Sequence, residues 1–333
     1  MRYTASLIIT SMLCLSLPLF AQEGEKYTKI EFDSISAKSF GDVVPKLTND
    51  QTILYLTGEA HHAHSTNEIH LAFIKYLILH KNLGIIFIES GNSYGELLNQ
   101  YLASGNDAHL RFILKSYGRN QRSYFNYYKE IASFAKQHHL TLAFRGVDVE
   151  YNLPGALAYI LHTFGPHLSK SDSAELVSFQ EQDMYLRKVE KNFLATLKRI
   201  LAHSTIQDKA KLERFDAVIN GIEAYLNDFG KRNSIMANKV LTYYEENPLA
   251  TGYFPVGIAH LRGGRVFKDI RTILQQKLGK DKILLSAINY IDCLRLDGSQ
   301  IQPQNPSMIT GKPYAVETGR KNFDLWLIAN GIK

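Results

Sequence analysis

The chain has 333 residues, of which 45% are hydrophobic and 11% aromatic, and its formal net charge at neutral pH is +6. This composition excludes a disordered or fibrous protein and allows a large core in one or two domains. The basic residues are scattered, with local clusters at 187–199 and 262–271, and no nucleic-acid-binding motif accompanies them. We therefore expect no nucleic-acid partner.

The first 21 residues have the layout of a secretory signal peptide. Arg2 precedes an apolar region at 7–20, and Ala21 is a small residue suited to cleavage. The apolar region is short for a membrane span of about 20 residues, and no later segment is long and apolar enough to be one. We expect the mature chain, 22–333, to be exported to the periplasm or secreted, with no membrane span.

The chain that follows predicts strands alternating with helices. Apolar runs predict five strands, at 52–56, 84–89, 140–144, 253–258 and 282–288. Helical periodicity predicts a helix at 66–81, in which Ser65 and Glu68 have the spacing of a capping box, and three helices between 93 and 138. Strands joined by helices of this length form parallel βαβ units. The predicted fold is therefore α/β, with a mostly parallel central sheet flanked by helices.

A long helical stretch interrupts the strand pattern. Residues 154–247 are almost entirely helical in pattern, and the strands resume after them. We interpret this stretch as a helical insertion or lid within one α/β domain, 22–333. The tail from residue 292 onward predicts little beyond an apolar stretch at 325–328.

Ionisable side chains gather after four of the predicted strands. They are Glu59, His61, His62, His64 and Glu68 after the first, Glu89 after the second, Arg145 and Asp148 after the third, and His260 after the fourth. The carboxyl ends of parallel strands meet at one edge of a sheet, where ligands bind in open α/β folds. We therefore expect these groups to share one site for a small-molecule substrate.

Carboxylates beside histidines suit two kinds of chemistry. A glutamate that orients a histidine makes a general base that can activate water. Alternatively, several histidines and a carboxylate hold a divalent metal whose bound water is the nucleophile. The candidate ligands for such a metal would be His61, His62, Glu89 and His260. The spacing does not match the HExxH motif of zinc peptidases, so the metal signal is weak, and there is no GxSxG elbow, which favours water activation over an acyl-enzyme.

Five blocks in order resemble the erythromycin esterase family, which belongs to a wider group with the TraB, Tiki and haem-binding ChaN proteins. They are GEAHH at 58–62, IIFIESG at 85–91, FRGVDV at 144–149, RNSIMANKV at 232–240 and VGIAHLRGG at 256–264. The family pattern Gly-Glu-x-x-His falls on Glu59 and His62, with His61 as a neighbour. Its strand-end glutamate falls on Glu89 and its late histidine on His260.

The resemblance implies a catalytic set of Glu59, His62, Glu89 and His260 that activates water without an obligatory metal. The chain departs from the family at two positions. His70 stands near the place of an arginine in the first helix, and Gly257 stands where the first histidine of a late-strand pair would be.

The sequence therefore predicts an exported hydrolase that cleaves an ester or lactone. His62 would be the general base, oriented by Glu59 or Glu89, and His260 and Arg232 would position the scissile carbonyl. The remaining substrate-binding candidates are His61, His64, His70, Arg145 and Asp148. The alternatives are a Tiki- or TraB-like metal-dependent peptidase, a ChaN-like protein that binds haem or metal, and an inactive relative that binds a partner.

Overall fold

A computed structural model describes residues 28–44, 50–61, 63, 65–119, 122–181, 191–262, 268–295, 298–305, 308, 310–318 and 323–332. Within them one sheet has eight strands: β1 Lys29–Phe32, β2 Leu54–Glu59, β3 Leu83–Ile88, β4 Ala143–Gly146, β5 Thr251–Gly257, β6 Ile283–Ile291, β7 Tyr314–Thr318 and β8 Leu325–Asn330. Their order across the sheet is β1-β7-β8-β6-β2-β5-β3-β4. The six strands from β8 to β4 are parallel, and β7 is antiparallel to both of its neighbours.

Twelve α-helices accompany these strands in the described part of the chain: α1 Ala37–Gly41, α2 Thr66–Lys81, α3 Asn92–Ser104, α4 Asp107–Ser116, α5 Arg122–Gln137, α6 Leu153–Phe164, α7 Lys170–Glu181, α8 Lys191–His203, α9 Lys209–Asp228, α10 Arg232–Glu246, α11 Ala259–Arg262 and α12 Ile270–Leu278. No helix among the described residues is long and apolar enough to cross a bilayer.

The sheet separates two hydrophobic cores, because successive side chains of a strand point to opposite faces. Tyr55 and Tyr253 contribute to the larger core, which α2, α3, α5, α6 and α9 complete. Leu54 and Phe254, their chain neighbours, contribute to a smaller core that α10 and α12 complete. A mostly parallel sheet covered on both faces is the predicted fold class, which is confirmed.

Several predicted elements agree closely with the structure. Helix α2 spans 66–81 as predicted, and α3, α4 and α5 are the three helices expected between 93 and 138. The described residues of 154–247 form α6 to α10. The third strand begins three residues later than predicted, at Ala143. Strands β1 and β7 and helix α1 were not predicted, and β8 corresponds to the apolar stretch noted in the tail.

The predicted capping box at the start of α2 is wrong. The side chain of Ser65 makes no capping hydrogen bond, and the backbone of Ser65 is already helical. Glu68 instead accepts a hydrogen bond of 2.6 Å from the hydroxyl of Tyr314 in β7. Glu68, which was expected to complete the capping box, therefore links α2 to β7 instead. The predicted signal peptide lies outside the described residues.

Candidate active site

Three parallel strands that are neighbours in the sheet deliver the acids and imidazoles to one edge. Glu59 is the last residue of β2, Glu89 follows the last residue of β3, and His260 lies in α11, which begins two residues after β5. The order β2-β5-β3 places all three strand ends side by side. The structure therefore places Glu59, Glu89 and His260 together at the carboxyl edge of the sheet, as expected.

Glu59 joins two imidazoles. Its Oε1 is 2.8 Å from Nδ1 of His61, and its Oε2 contacts Nε2 of His70. His70 is buried, and its Nδ1 is 2.5 Å from the hydroxyl of Tyr253. With both ring nitrogens engaged, His70 holds the Glu59 carboxylate in one orientation.

Glu89 is held by four donors. Its Oε1 is 3.0 Å from Nε2 of His260 and 3.3 Å from Nη2 of Arg232. Its Oε2 accepts a 2.7 Å hydrogen bond from the backbone N–H of Gly257 and lies 3.4 Å from Nε2 of His61. The strand-end carboxylate therefore has the cationic partners that its burial requires.

The site contains an unbroken chain of contacts. It runs from the Tyr253 hydroxyl through His70, Glu59, His61, Glu89 and His260 to the side-chain oxygen of Asn233, which lies 2.5 Å from Nδ1 of His260. Imidazoles alternate with carboxylates along it. Each carboxylate thus has an imidazole on both sides.

Gly257 provides the space in which His61 lies. A Cβ atom at this position would be 2.8 Å from Nε2 of His61 and 3.4 Å from Oε2 of Glu89. Such an approach is too close for any side chain to be added without moving His61. The ring of His61 therefore occupies the space that a side chain at position 257 would need.

Arg232 anchors the edge of the cluster from the start of α10. Its Nε donates to both carboxylate oxygens of Asp148, at 2.9 and 3.1 Å, and its Nη2 contacts Asp148 and Glu89. Asp148 is completely buried. The guanidinium also lies between aromatic rings, 5.5 Å from the centre of Tyr151 and 5.0 Å from that of Phe229. Arg232, which Asp148 holds in place, therefore helps to fix the position of the Glu89 carboxylate.

The electrostatics of the cluster favour charged forms. Burial acts to raise the pKa of Glu59, but the imidazoles of His70 and His61 outweigh it and lower that pKa to about 2. Burial likewise opposes ionisation of Glu89, and His260 and His61 hold its pKa well below the usual value. For His61, burial lowers the pKa, but the two carboxylates overcome it and raise the pKa to about 10. His61 is therefore an imidazolium at neutral pH, clamped between two carboxylates.

A cavity of about 140 Å³ opens beside this chain. Glu59, His61, His70 and Glu89 line it together with Arg119, Tyr124, Tyr127, Tyr128 and Tyr151. Its volume is close to that of an apolar cavity that accepts a benzene molecule. A substrate group the size of one six-membered ring can therefore lie against the acids and imidazoles.

The structure brings together most, but not all, of the predicted site residues. His62 and His64 lie outside the described residues. Arg145 lies away from the cluster, with its guanidinium 5.5 Å from the ring centre of Tyr243 and 4.0 Å from Glu246 in the last turn of α10. This end of α10 is about 20 Å from Arg232 at 1.5 Å per residue. The expectation that Arg145 joins the substrate site is thus corrected.

Sequence reasoning missed residues that carry no ionisable strand-end signal. Tyr253 and Asn233 terminate the chain of contacts, and four tyrosines and Arg119 line the cavity. The tyrosines come from α5 and from the loop after β4, far along the chain from the GEAHH block. One signal was available, since Tyr124, Tyr127 and Tyr128 recur at helical spacing.

A metal ion is one of the cofactors that the sequence allows. Among the described residues, no group of three or more histidine, cysteine, aspartate or glutamate side chains is placed so that it could hold a metal ion. Of the described members of the proposed ligand set, Glu89 contacts both His61 and His260 directly. Metal or haem dependence stays a prediction, because His62 lies outside the described residues.

No protein-family model matches the sequence, and no curated protein matches it significantly. Solved structures do match. A mutant of the erythromycin esterase EreC in its open conformation has a TM-score of 0.61 and 15% identity, covering 92% of this chain and 98% of that chain. A Bacillus cereus protein has a TM-score of 0.56 and 13% identity, covering 91% and 94%. A succinoglycan biosynthesis protein has a TM-score of 0.54 and 15% identity, covering 79% of this chain and 73% of that chain. Identities this low establish the fold alone: the chain has the architecture of the erythromycin esterase, as its sequence blocks indicated.

Proposed function

We propose that the protein is an exported hydrolase that cleaves an ester or lactone by activating water at the cluster of Glu59, His61, Glu89 and His260. The observation that carries the proposal is the placement of the His61 ring between two carboxylates at the wall of a cavity. Its likeness in fold to an erythromycin esterase supports the reaction class.

In this proposal His61 is the proton donor. Its contact with Glu59 is 2.8 Å, whereas its contact with Glu89 is 3.4 Å, so the proton on Nε2 is the more weakly held. The side chain of His61 is 45% exposed. It can therefore present this proton to the oxygen of a leaving alcohol, and the two carboxylates stabilise the proton until it is transferred.

The reaction needs a base as well as an acid. We propose His62 as the base that removes a proton from water, as the Gly-Glu-x-x-His pattern implies. The oxygen of that water attacks the carbonyl carbon, the tetrahedral intermediate collapses, and the alcohol leaves with the proton from His61. The products are a carboxylic acid and an alcohol. Arg232 and His260 hold Glu89, and through it His61, in the geometry that this transfer requires.

The test is a panel of neutral esters and lactones that includes para-nitrophenyl butyrate, whose leaving group departs without a proton, and ethyl butyrate, whose alkoxide leaving group needs one. We expect His62→Ala to lower kcat for both esters, and His61→Gln to lower kcat for ethyl butyrate, each by about 10²- to 10⁴-fold, the range for loss of one general acid or base. Circular dichroism would verify that each variant is folded. The matched control is His203→Ala, which removes an exposed imidazole at the end of α8 and should leave kcat unchanged. Full turnover of ethyl butyrate by either site variant would remove that histidine from the mechanism.

A further inference from the structure

Arg119 is a cation in the cavity wall whose charge the cluster does not use. It follows α4, and its guanidinium lies 4.8 Å from the ring centre of Tyr94 and 5.7 Å from that of Tyr124. Among the described residues, no carboxylate lies within ion-pair distance of Arg119, whereas Arg232, which contacts the cluster at Glu89, contacts two. Arg119 is thus held by aromatic faces and not by an acid.

An arginine in such a position has unused binding capacity. The faces of tyrosine rings attract a cation, which stabilises the guanidinium without using its N–H groups in ion pairs. Those N–H groups form a rigid fork that matches the two oxygens of a carboxylate or phosphate. Arg119 is partly buried, and a partly desolvated charge with no opposite charge nearby favours the binding of an anion that enters the cavity.

The position of Arg119 relative to the cluster is set by the tyrosines between them. Burial raises the pKa of Tyr124 to about 12, and that hydroxyl is influenced by Arg119 and Glu59 together. Tyr151 is influenced by Arg119 as well as by Glu89, and its hydroxyl donates to the backbone oxygen of Glu89. Both rings line the cavity. Arg119 and His61 line the same cavity, so a ring-sized ligand in it can contact both of them.

We propose that Arg119 binds an anionic group, a carboxylate or a phosphate, on a ring-sized substrate in this cavity. This inference rests on the proposed hydrolase function and names the class of substrate for it. The scissile ester lies at the end of that substrate nearest His61. The positive charges of His61 and Arg232 partly offset the carboxylates of Glu59 and Glu89, which weakens their repulsion of the ligand. The cavity volume of about 140 Å³ limits the enclosed part to a single ring.

Binding of non-hydrolysable probes tests this proposal without requiring turnover. The probes are benzoate, phenyl phosphate and the neutral benzamide, each titrated at millimolar concentration by calorimetry and by thermal shift. We expect benzoate or phenyl phosphate to bind the wild-type protein and benzamide not to. Arg119→Met should weaken anion binding by about tenfold or more, the loss expected for hydrogen bonds to an ionised partner. Arg119→Lys, which keeps the charge but loses the fork, should retain part of it.

Lys115→Met is the matched control, because it removes one positive charge from an exposed position on α4. It should bind the anions as the wild type does. If Lys115→Met weakens binding as much as Arg119→Met, the effect is one of net charge and the proposal is overturned. It is also overturned if neither anion binds or if benzamide binds equally well. The relative affinities of benzoate and phenyl phosphate identify which anion the site prefers.

The outcome is separable from that of the proposed hydrolase. Hydrolysis of para-nitrophenyl butyrate, a neutral ester, tests the reaction and does not involve the anion site. Turnover of this ester with anion binding that is unaffected by Arg119→Met would overturn the anion site and leave the hydrolase in place. Anion binding that depends on Arg119, in a protein that hydrolyses no ester or lactone, would support the anion site and overturn the hydrolase.

Discussion

Glu89→Gln is expected to abolish ester hydrolysis and to lower the free energy of unfolding by about 3–5 kcal/mol, the usual effect of removing one partner from a buried ion pair. Four donors converge on this carboxylate, which is only 11% exposed. A glutamine of the same shape has one acceptor oxygen and an NH₂ group that would face donors. His61, His260 and Arg232 would then be left facing an amide that cannot neutralise them.

Urea unfolding and turnover of ethyl butyrate measure the two effects separately. The matched control is Glu130→Gln, which removes an exposed carboxylate paired with Lys75 at 2.9 Å. An exposed pair contributes about 0–1 kcal/mol, so this control should stay close to wild type in both measurements. If Glu89→Gln were as stable and as active as Glu130→Gln, Glu89 would not be the centre of the cluster.

Arg232→Met is the second substitution with a large expected effect. It leaves the carboxylate of Asp148, which is completely buried, without its cation. We expect the free energy of unfolding to fall by about 3–5 kcal/mol. The double variant Arg232→Met with Asp148→Leu removes both charges, and it should be more stable than Arg232→Met alone, since no uncompensated charge remains.

A double-mutant cycle in urea distinguishes this account from simple loss of packing. The coupling free energy between Arg232 and Asp148 should be on the order of 1–3 kcal/mol, as for residues in direct contact within one network. Strictly additive effects of the two substitutions would mean that the ion pair contributes nothing to stability. The double variant should still have low activity, because Arg232 also holds Glu89.

The elements that sequence predicted well are those with strong local patterns. Helix α2 was found at its observed bounds because its apolar residues recur with helical period between a polar loop and a strand. The outer strands were missed for two reasons. Strand β1, KIEF, is a half-polar edge strand, and β7 follows a Gly- and Pro-containing loop that breaks the pattern. Their pairing to each other across almost the whole chain is not a local property.

The sequence predicted which acidic residues belong to the candidate site, but it predicted the positions of the other side chains less well. Strand-end position identified Glu59, Glu89 and His260, because parallel strands bring such residues to one edge. The same argument failed for Arg145, which pairs in register with Phe87, before the end of β3, and whose side chain contacts Tyr243 and Glu246 of α10 instead. The family pattern left His61 as a neighbour of His62. The position of the His61 ring between Glu59 and Glu89 depends on Gly257, which lies about two hundred residues away in the chain.

The free energy of unfolding should depend on pH in the way that these pKa shifts predict. Folding lowers the pKa of Glu59 from 4.5 to about 2, so its contribution to stability is present above pH 4.5 and is lost as the pH falls towards 2. Folding raises the pKa of His61 from 6.5 to about 10. Its contribution is therefore complete below pH 6.5 and is lost as the pH rises through 10.

Titration of the His61 ring by nitrogen NMR tests the central claim most directly. The signal that disappears in His61→Gln identifies the ring, and its shift reports whether both nitrogens carry protons. If His61 is clamped between Glu59 and Glu89, the ring stays doubly protonated through neutral pH and titrates near 10, and Glu59→Gln brings the midpoint down. A midpoint near 6.5 in the wild-type protein, unchanged by Glu59→Gln, would contradict the account.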